Sequence, residues 1–412
     1  MKLIHMADLH FGKMLYDLNL VTEGDQGHMA EEILRLVREE KPDGILIAGD
    51  FFDRRTPPGE ARNLAGDFLT ALRDEGIPVF LVAGNHDSPE NVDYLREILK
   101  KSGLYVSGRL SRHLFHTRLE DEWGGVNLYL LPYFFPALVQ NLFPEAGEIR
   151  TYTEAARVLL EEQEINPQER NVIIAHQLVV DGENRPCPGG SESFVGGVGQ
   201  IDAGVWDAFD YVALGHIHRP QKISREGIRY AGAPLCYHFD ESGAGQSQAE
   251  RGVTVVEIGK KGDVQTRQCP IHPLHPLCTL RGSLEEILSG GISTEPGAYV
   301  RVRLTDSPVP RGAMDSLSAK FSDSGSVLVC LEKAGEDRGF STETEGEIRH
   351  QDLSLEELYL AYYREQRGGE LPPEEIQELI RFAADALGNH PDLEAEDMAR
   401  TILSYVNGRD AR

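Results

Sequence analysis

Short apolar runs alternate with amphipathic stretches along the amino-terminal part of the chain. The runs are four to six residues long and end at glycine or polar residues, as strands do; they occupy residues 3–6, 44–48, 79–82, 114–117, 126–131, 171–175 and 210–214. Between them, apolar residues at helical spacing predict helices at 28–40, 59–75 and 153–164, and a further helix that carries Tyr94 and Ile98. Repeated β-α units of this kind predict an α/β fold.

The pattern changes after residue 220. Residues 221–268 hold shorter runs broken by glycine, which predict antiparallel hairpins that close a sheet. A proline-rich stretch at 270–276 predicts a domain boundary, and strand, helix, strand, helix and strand follow it up to residue 331. We therefore expect a first domain at 1–269, a small α+β domain at 270–335, and a linker with carboxy-terminal helices at 336–412.

Polar side chains of the kinds that bind metal ions follow five of the predicted strands. Because ligands of open α/β sheets bind at the carboxyl ends of the strands, folding should gather these clusters at one site. The clusters are Asp8 with His10, Asp50 with Asp53, Asn85 with His86 and Asp87, His176, and His216 with His218.

The clusters supply seven candidate ligands, and none of them is a thiolate. A mixed carboxylate, amide and imidazole set suits manganese, iron or zinc. Seven donors are too many for one ion and enough for two, provided that one carboxylate bridges them. A two-metal site activates water and stabilises both oxygens of an in-line displacement at phosphorus. The candidates are Asp8, His10, Asp50, Asn85, His176, His216 and His218, and His86 is left as a positively chargeable group near the leaving oxygen.

The formal net charge of -26 argues against a basic nucleic-acid-binding surface on this chain. The acidity is marked in residues 331–412, which contain 20 Asp and Glu residues and 9 Lys and Arg residues. A phosphate substrate must therefore be held locally, by metal ions and a few arginines, or be presented by a partner. We also expect no membrane span and no signal peptide, and the five scattered cysteines fit reduced thiols in a cytoplasm.

The five clusters resemble the full signature of the calcineurin-like metallophosphoesterases. The resemblance implies a sandwich of two sheets flanked by helices, with a small α+β capping domain and a helical carboxy-terminal segment. It implies that one metal is held by Asp8, His10, Asp50 and His218, and the other by Asp50, Asn85, His176 and His216. It further implies that His86, paired with Asp87 or Asp53, stabilises the transition state or protonates the leaving group.

Within that superfamily the chain is similar to the nucleases of bacterial nuclease–ATPase complexes, over residues 47–53, 211–221, 232–235 and 239–241, and more loosely around 355–363. The resemblance implies manganese-dependent cleavage of DNA, as an exonuclease on duplex ends and an endonuclease on single strands or hairpins, in repair and recombination. It implies a homodimer formed through the helices at 59–75 and 91–101, and an ATPase partner bound by helices at 355–387. The alternative enzyme is a stand-alone phosphodiesterase for cyclic nucleotides or small phosphoesters. A non-catalytic scaffold would be expected to have lost a ligand, and none is replaced.

Four further features have two interpretations each. Arg54 and Arg219 flank the clusters and either contact substrate phosphate or are simply solvated. Cys269, His272, His275 and Cys278 have a spacing that suits zinc, although the prolines between them argue against it. The apolar residues of the 59–75 and 91–101 helices form either core or dimer contacts. The loop at 182–199 either covers the site or lies on the surface.

Overall fold

A computed structural model of the 412-residue chain describes residues 1–182, 185–187, 199–242, 251–292 and 294–334. All of them belong to one compact unit, comprising Met1–Ser193 and Gly199–Phe340. The expected carboxy-terminal helices at 336–412 and most of the 182–199 loop lie outside the described residues. The expected domain boundaries, which fall partly within this unit, stay predictions.

The strands, numbered in chain order, are β1 (Lys2–Met6), β2 (Met14–Leu15), β3 (Leu18–Asn19), β4 (Gly44–Ala48), β5 (Val79–Val82), β6 (Leu104–Ser107), β7 (Phe115–Asp121), β8 (Gly124–Leu131), β9 (Arg170–His176), β10 (Leu178–Val180), β11 (Gln200–Asp202), β12 (Tyr211–Gly215), β13 (Gln221–Ile223), β14 (Arg225–Tyr230), β15 (Gly252–Ile258), β16 (Val264–Pro270), β17 (Leu277–Gly282), β18 (Tyr299–Leu304) and β19 (Val327–Lys333). The α-helices are α1 (Asp25–Glu40), α2 (Gly59–Asp74), α3 (Pro89–Val92), α4 (Arg96–Lys101), α5 (Pro136–Leu142), α6 (Tyr152–Glu161), α7 (Leu284–Leu288) and α8 (Ala313–Ser322).

Two six-stranded sheets form the main body. The first has the order β16-β15-β1-β4-β5-β6 and the second the order β13-β14-β12-β9-β8-β7. Each has a parallel centre and an antiparallel hairpin at one or both edges: β15 and β16 in the first sheet, and β13–β14 and β7–β8 in the second. The hairpins expected in 221–268 are thus present, and they close two different sheets.

The sheets pack face to face. Successive side chains of a strand point to opposite faces of its sheet, so each strand contributes to two apolar layers. Leu46 of β4 and Phe80 of β5 contact the second sheet in an apolar core between the two layers. Their neighbours Ile45 and Leu81 point to the outer face of the first sheet, where α1 and α2 pack. Helices α5 and α6 cover the outer face of the second sheet. The two-sheet sandwich flanked by helices is confirmed.

A third, three-stranded sheet follows the proline-rich stretch, with the order β17-β18-β19 and all strands parallel. Helices α7 and α8 connect its strands and pack on one face, over Val300 and Val302. The predicted strand-helix-strand-helix-strand order is therefore present.

The region after residue 88 differs from the single helix that the sequence predicts. It contains two short helices, α3 and α4, because Leu95 adopts a left-handed backbone conformation with φ 60°. Tyr94 and Ile98 are 71% and 61% exposed, whereas Phe68 of α2 is buried. Core packing is thus the right interpretation for Phe68 and the wrong one for Tyr94 and Ile98. None of the helices in the described residues has the length and apolarity that a bilayer span requires.

Candidate active site

All five polar clusters lie at one edge of the sandwich, where parallel strands of both sheets end. In the first sheet, Asp8 and Asp50 follow the neighbouring parallel strands β1 and β4. In the second sheet, His176 ends β9 and lies beside Gly215, the last residue of β12. The two layers join here, because the Asp8 carboxylate accepts a hydrogen bond from the His216 amide at 3.0 Å. The gathering that the sequence predicts across the sheets is therefore present.

A first group of donors is formed by Asp8, His10 and His218, which are all buried and lie close enough to share one ion. The Nε2 atoms of His10 and His218 are 3.2 Å apart. Oδ2 of Asp8 is buried and has no hydrogen-bond partner. Asp50 is adjacent, with its Oδ2 3.7 Å from His10 Nε2.

A second group surrounds Oδ1 of Asn85. His176 Nε2 lies 3.0 Å and His216 Nδ1 3.1 Å from this oxygen. Oδ2 of Asp50 is 3.3 Å from His176 Nε2. Asp50 is therefore next to both groups, which is the position that a bridging carboxylate needs.

The geometry around His176 suits a cation. Its Nδ1 must carry a hydrogen, because it donates to the carbonyl oxygen of Ala48 at 2.8 Å. Nε2 then directs a lone pair at the oxygens of Asn85 and Asp50, and these contacts are repulsive unless a proton or a metal ion lies between them. Together with the unpartnered Asp8 oxygen and the mixed oxygen and nitrogen donors, this arrangement fits two divalent ions.

Burial and mutual charge shift the pKa values of the donors in different directions. Burial raises the pKa of Asp8 to about 6 and lowers the pKa values of His10 and His216 to about 4 and about 3. Burial also opposes charge on His176, but the Asp50 carboxylate outweighs it and raises the pKa of His176 to about 9. The pKa of Asp50 is held well below its usual range in spite of burial, chiefly by His176. Asp50 is therefore ionised, and His10 and His216 are neutral, as metal ligation requires, whereas His176 would give up its Nε2 proton when a metal binds.

The backbone at the site is strained. Asp8, His10, Asp50 and His216 all have positive φ, at 54°, 46°, 46° and 96°. Non-glycine residues rarely adopt this region, and such residues concentrate at functional sites. The loops hold one another in place, since the amide of Asp8 donates to the Gly49 carbonyl at 3.1 Å and that of His10 to the Asp50 carbonyl at 2.9 Å.

Glycine is required where the sheets approach each other. Gly49 has φ 83°, and a Cβ there would collide with the ring of His176. A Cβ on Gly215 would collide with the carbonyl oxygen of Ala48. Glycine at these two positions therefore permits the close backbone approach of the two sheets.

His86 is exposed and lies at the rim of the site. Its Nδ1 donates to the backbone carbonyl of Asp53 at 2.9 Å, so its contact with Asp53 is through the main chain. The Asp53 carboxylate instead binds Lys13 Nζ at 2.8 Å. Burial opposes ionisation of Asp53, but His10 and Lys13 together lower its pKa to about 2.

Asp87 is buried and turned away from this rim. Its carboxylate accepts hydrogen bonds from the amides of Phe51, Phe52 and Gly84 at 3.1, 2.9 and 2.8 Å. Burial raises its pKa to about 6. Asp87 therefore fastens the loops after β4 and β5 to each other, and of the two partners proposed for His86 only Asp53 is in contact with it by a described hydrogen bond.

The remaining candidates lie at the margins. Arg54 is exposed, with its Nε 3.7 Å from Asp53 Oδ2, and Arg219 is partly buried beside His218 in the chain. The zinc spacing does not produce a cluster within the described residues. Cys269 contacts Arg267, and His275 pairs with Asp25 at 3.0 Å.

Four buried or half-buried residues contact the site and carry no signal in the hydrophobic pattern. Gln26 hydrogen-bonds the loop of His10, Lys13 binds Asp53, the Tyr237 hydroxyl donates to the Leu9 carbonyl, and Glu241 accepts from His218. Each acts through one polar group, and its partner lies on another segment. Of the four, Glu241 alone has a signal in the sequence, because it lies in the stretch 239–241 over which the chain resembles the family; Gln26, Lys13 and Tyr237 lie outside the resembling stretches.

Comparison with known proteins agrees with this geometry. Residues 1–220 match the family profile of the calcineurin-like phosphoesterases. The chain is 31% identical over 316 residues to a protein of Staphylococcus epidermidis named as the SbcD component of the nuclease SbcCD, covering 74% of this chain and 79% of that relative.

Two solved structures overlap more weakly. A dimetal phosphatase of Danio rerio is 12% identical with a TM-score of 0.37, over 65% of this chain and 98% of its own. GAP50 of Plasmodium is 15% identical with a TM-score of 0.36, over 66% of this chain and 89% of its own. Overlaps at this level support no conclusion about substrate.

The match to the phosphoesterase family and the similarity to the Staphylococcus epidermidis nuclease subunit together show that the protein is a metal-dependent hydrolase of phosphodiesters. The chain therefore belongs to the calcineurin-like phosphoesterase family and, within it, to the group of SbcD proteins.

Proposed function

We propose that this protein is a manganese-dependent DNA nuclease that cleaves duplex ends as an exonuclease and single strands or hairpins as an endonuclease. In this proposal it works with the ATPase SbcC in DNA repair and recombination. The observation that carries the proposal is the convergence of all seven donor side chains at one edge of the sandwich, in a chain 31% identical to an SbcD nuclease.

We assign Asp8, His10, Asp50 and His218 to one ion, and Asp50, Asn85, His176 and His216 to the other. Two divalent ions, when bound, would activate a water molecule and place positive charge beside the phosphate oxygens.

The chain's own residues keep this site ready for substrate. Asp50 is ionised between the two groups. His86 donates through Nδ1 to the Asp53 carbonyl, which leaves Nε2 as the nitrogen that can protonate the leaving oxygen. Lys13 and Arg54 place positive charge beside Asp53 at the rim, where a phosphate would enter.

The acidity of the chain supports a partner. With a net charge of -26, the chain repels a polyanion over most of its surface. In this proposal the ATPase supplies the DNA affinity, and it docks on the helices predicted at 355–387. A homodimer is supported by three exposed apolar side chains: Tyr94 and Leu95, in the link between α3 and α4, and Ile98 on α4.

The proposal is tested by incubating the purified chain and manganese with linear duplex DNA, with a DNA hairpin and with a cyclic nucleotide, each with and without SbcC. We expect cleavage of both DNA substrates and stimulation by SbcC with ATP. Turnover of the cyclic nucleotide with no cleavage of DNA in either condition would favour the stand-alone phosphodiesterase instead.

A further inference from the structure

The central strand of the third sheet, β18, attaches that sheet to the sandwich. Tyr299 and Arg301 are two positions apart and therefore point to the same side of the strand. Both are buried, at 2% and 4% exposure, although they carry polar groups. Val300, between them, points the other way into the core of the third sheet.

Tyr299 attaches to the start of α1. Its hydroxyl donates to Asp25 Oδ2 at 2.9 Å, and His275 lies 3.0 Å from the other oxygen of this carboxylate. The next residue, Gln26, is fully buried.

The amide of Gln26 makes three hydrogen bonds to the loop that carries His10. Its Nε2 donates to the carbonyls of Leu9 and His10 at 3.2 and 2.7 Å, and its Oε1 accepts from the amide of Gly12 at 2.8 Å. Gln26 thus holds the strained backbone on which two of the donors lie.

Arg301 attaches to the segment that holds His218. Its guanidinium donates to Asp240 Oδ1 at 2.7 Å and lies over the ring of Phe239. The next residue, Glu241, is buried, and its Oε1 is 3.0 Å from Nδ1 of His218. A carboxylate in this position fixes the tautomer of a histidine ligand and directs Nε2 toward the metal.

Each attachment of β18 is therefore one residue away from a side chain that holds a histidine of the same donor group. We propose that Tyr299 and Arg301 are positioning residues for the first metal, acting on His10 through Asp25–Gln26 and on His218 through Asp240–Glu241. The third sheet then sets the affinity of the first metal site as well as covering the sandwich. This inference rests on the ligand assignment proposed above.

The experiment measures manganese binding to the full-length chain by isothermal titration calorimetry without substrate. The variant Tyr299→Phe/Arg301→Met removes both attachments and keeps the size of the side chains. We expect one of the two manganese dissociation constants to rise roughly tenfold, the lower end of what loss of an outer partner of a ligand costs. The other constant should stay as in the wild type.

Val300→Ala is the matched control. It removes apolar contacts from the core of the third sheet at a position on the same strand, β18, and leaves both attachments in place. We expect it to lower the unfolding temperature and to leave both dissociation constants unchanged. If Tyr299→Phe/Arg301→Met does not fold, Tyr299→Phe alone carries the test, with an expected increase of roughly threefold to tenfold.

A double-mutant cycle identifies the route. In a Gln26→Met background, Tyr299→Phe should weaken manganese binding no further. If Tyr299→Phe weakens manganese binding by the same factor with and without Gln26→Met, this inference is wrong. It is also wrong if the folded Tyr299→Phe variants have wild-type dissociation constants. Neither result contradicts the proposed function. A wild-type chain that binds no manganese overturns the ligand assignment and, with it, this inference.

Discussion

Asp50 is the residue on which both donor groups depend, since its Oδ2 lies 3.7 Å from His10 Nε2 and 3.3 Å from His176 Nε2. We expect Asp50→Asn to lose activity by at least ~100-fold and to retain less than two manganese ions, because the amide supplies no negative charge to bridge them. Turnover against bis-p-nitrophenyl phosphate and metal content after gel filtration check this. Asp315→Asn, on the exposed face of α8, is the control. Near wild-type turnover by Asp50→Asn would refute the two-metal assignment.

Substitution of His86 tests catalysis separately from metal binding. It is exposed and donates to the Asp53 carbonyl, and it is assigned to neither ion. We expect His86→Gln to keep wild-type manganese binding while kcat falls by about 10²–10⁴, the usual contribution of a general acid. Kinetics and calorimetry on the same preparation check this. Loss of an ion from the variant would reassign His86 as a ligand.

His5 of β1 makes folding sensitive to acid. It is fully buried beside the Tyr211 hydroxyl, and burial lowers its pKa to about 3. Below pH 6.5 the unfolded chain binds a proton at this histidine and the folded chain does not, so stability is lost as pH falls from 6.5 towards 3. The loss amounts to about 2–3 kcal/mol between pH 6.5 and 4.5.

The variant His5→Gln keeps an acceptor for Tyr211 and cannot be protonated. Its free energy of unfolding should fall by about 2–3 kcal/mol less than that of the wild type between pH 6.5 and 4.5. Urea unfolding at the two pH values measures the difference. Equal losses in the two proteins would show that His5 takes up its proton in the folded state.

At this scale, the sequence predicts the donors and misses the residues that hold them. Asp8, His10 and the other donors follow apolar runs at fixed short spacings, which is a local pattern. Gln26 and Glu241 are single polar residues whose roles depend on partners 16 and 23 positions away, His10 and His218. Such pairings arise from tertiary packing, which periodicity does not encode.

At the scale of elements, the apolar runs predict the strands of both sheet centres but not how they are divided between two sheets. Strand β14 pairs in parallel with β12, and β15 pairs antiparallel with β1 at the other end of the chain. A continuous apolar run indicates that both faces of a strand are buried, but it does not determine which strand lies next to it. The sandwich itself is predicted by the resemblance of the metal clusters to a known family.

Helix α4 gives the prediction that belongs to this scale. Its Ile98 is 61% exposed, next to Leu95 and Tyr94, and the proposed homodimer would bury it. We expect Ile98→Asp to raise the dimer dissociation constant by at least ~100-fold, because an unpaired carboxylate is costly to bury in an apolar contact. Sedimentation velocity over a dilution series measures this.

Met314→Asp is the control for Ile98→Asp, since Met314 is also an exposed apolar side chain, 45% exposed on α8 of the third sheet. It should leave the dissociation constant unchanged. A wild-type chain that sediments as a monomer at all concentrations, or an Ile98→Asp variant that dimerises like the wild type, would place the interface elsewhere or remove it.

On the scale of the whole molecule, catalysis and partner binding are expected to lie in separate parts of the chain. The donor groups, both sheets and the third sheet all fall within residues 1–334, whereas the predicted docking helices begin at 355. The later segment, with 20 acidic and 9 basic residues in 331–412, is unsuited to bind DNA and suited to bind a protein.

A chain that ends at residue 345 should therefore hydrolyse bis-p-nitrophenyl phosphate at the wild-type rate and bind manganese with unchanged affinity. It should lose co-purification with SbcC, and with it the stimulation of duplex cleavage by ATP. The comparison separates two ways of losing DNA cleavage. Asp50→Asn should lose hydrolysis and still bind SbcC, whereas the truncated chain should hydrolyse the small diester and no longer bind SbcC. Retained binding of SbcC by the truncated chain would place the docking surface on the sandwich or the third sheet.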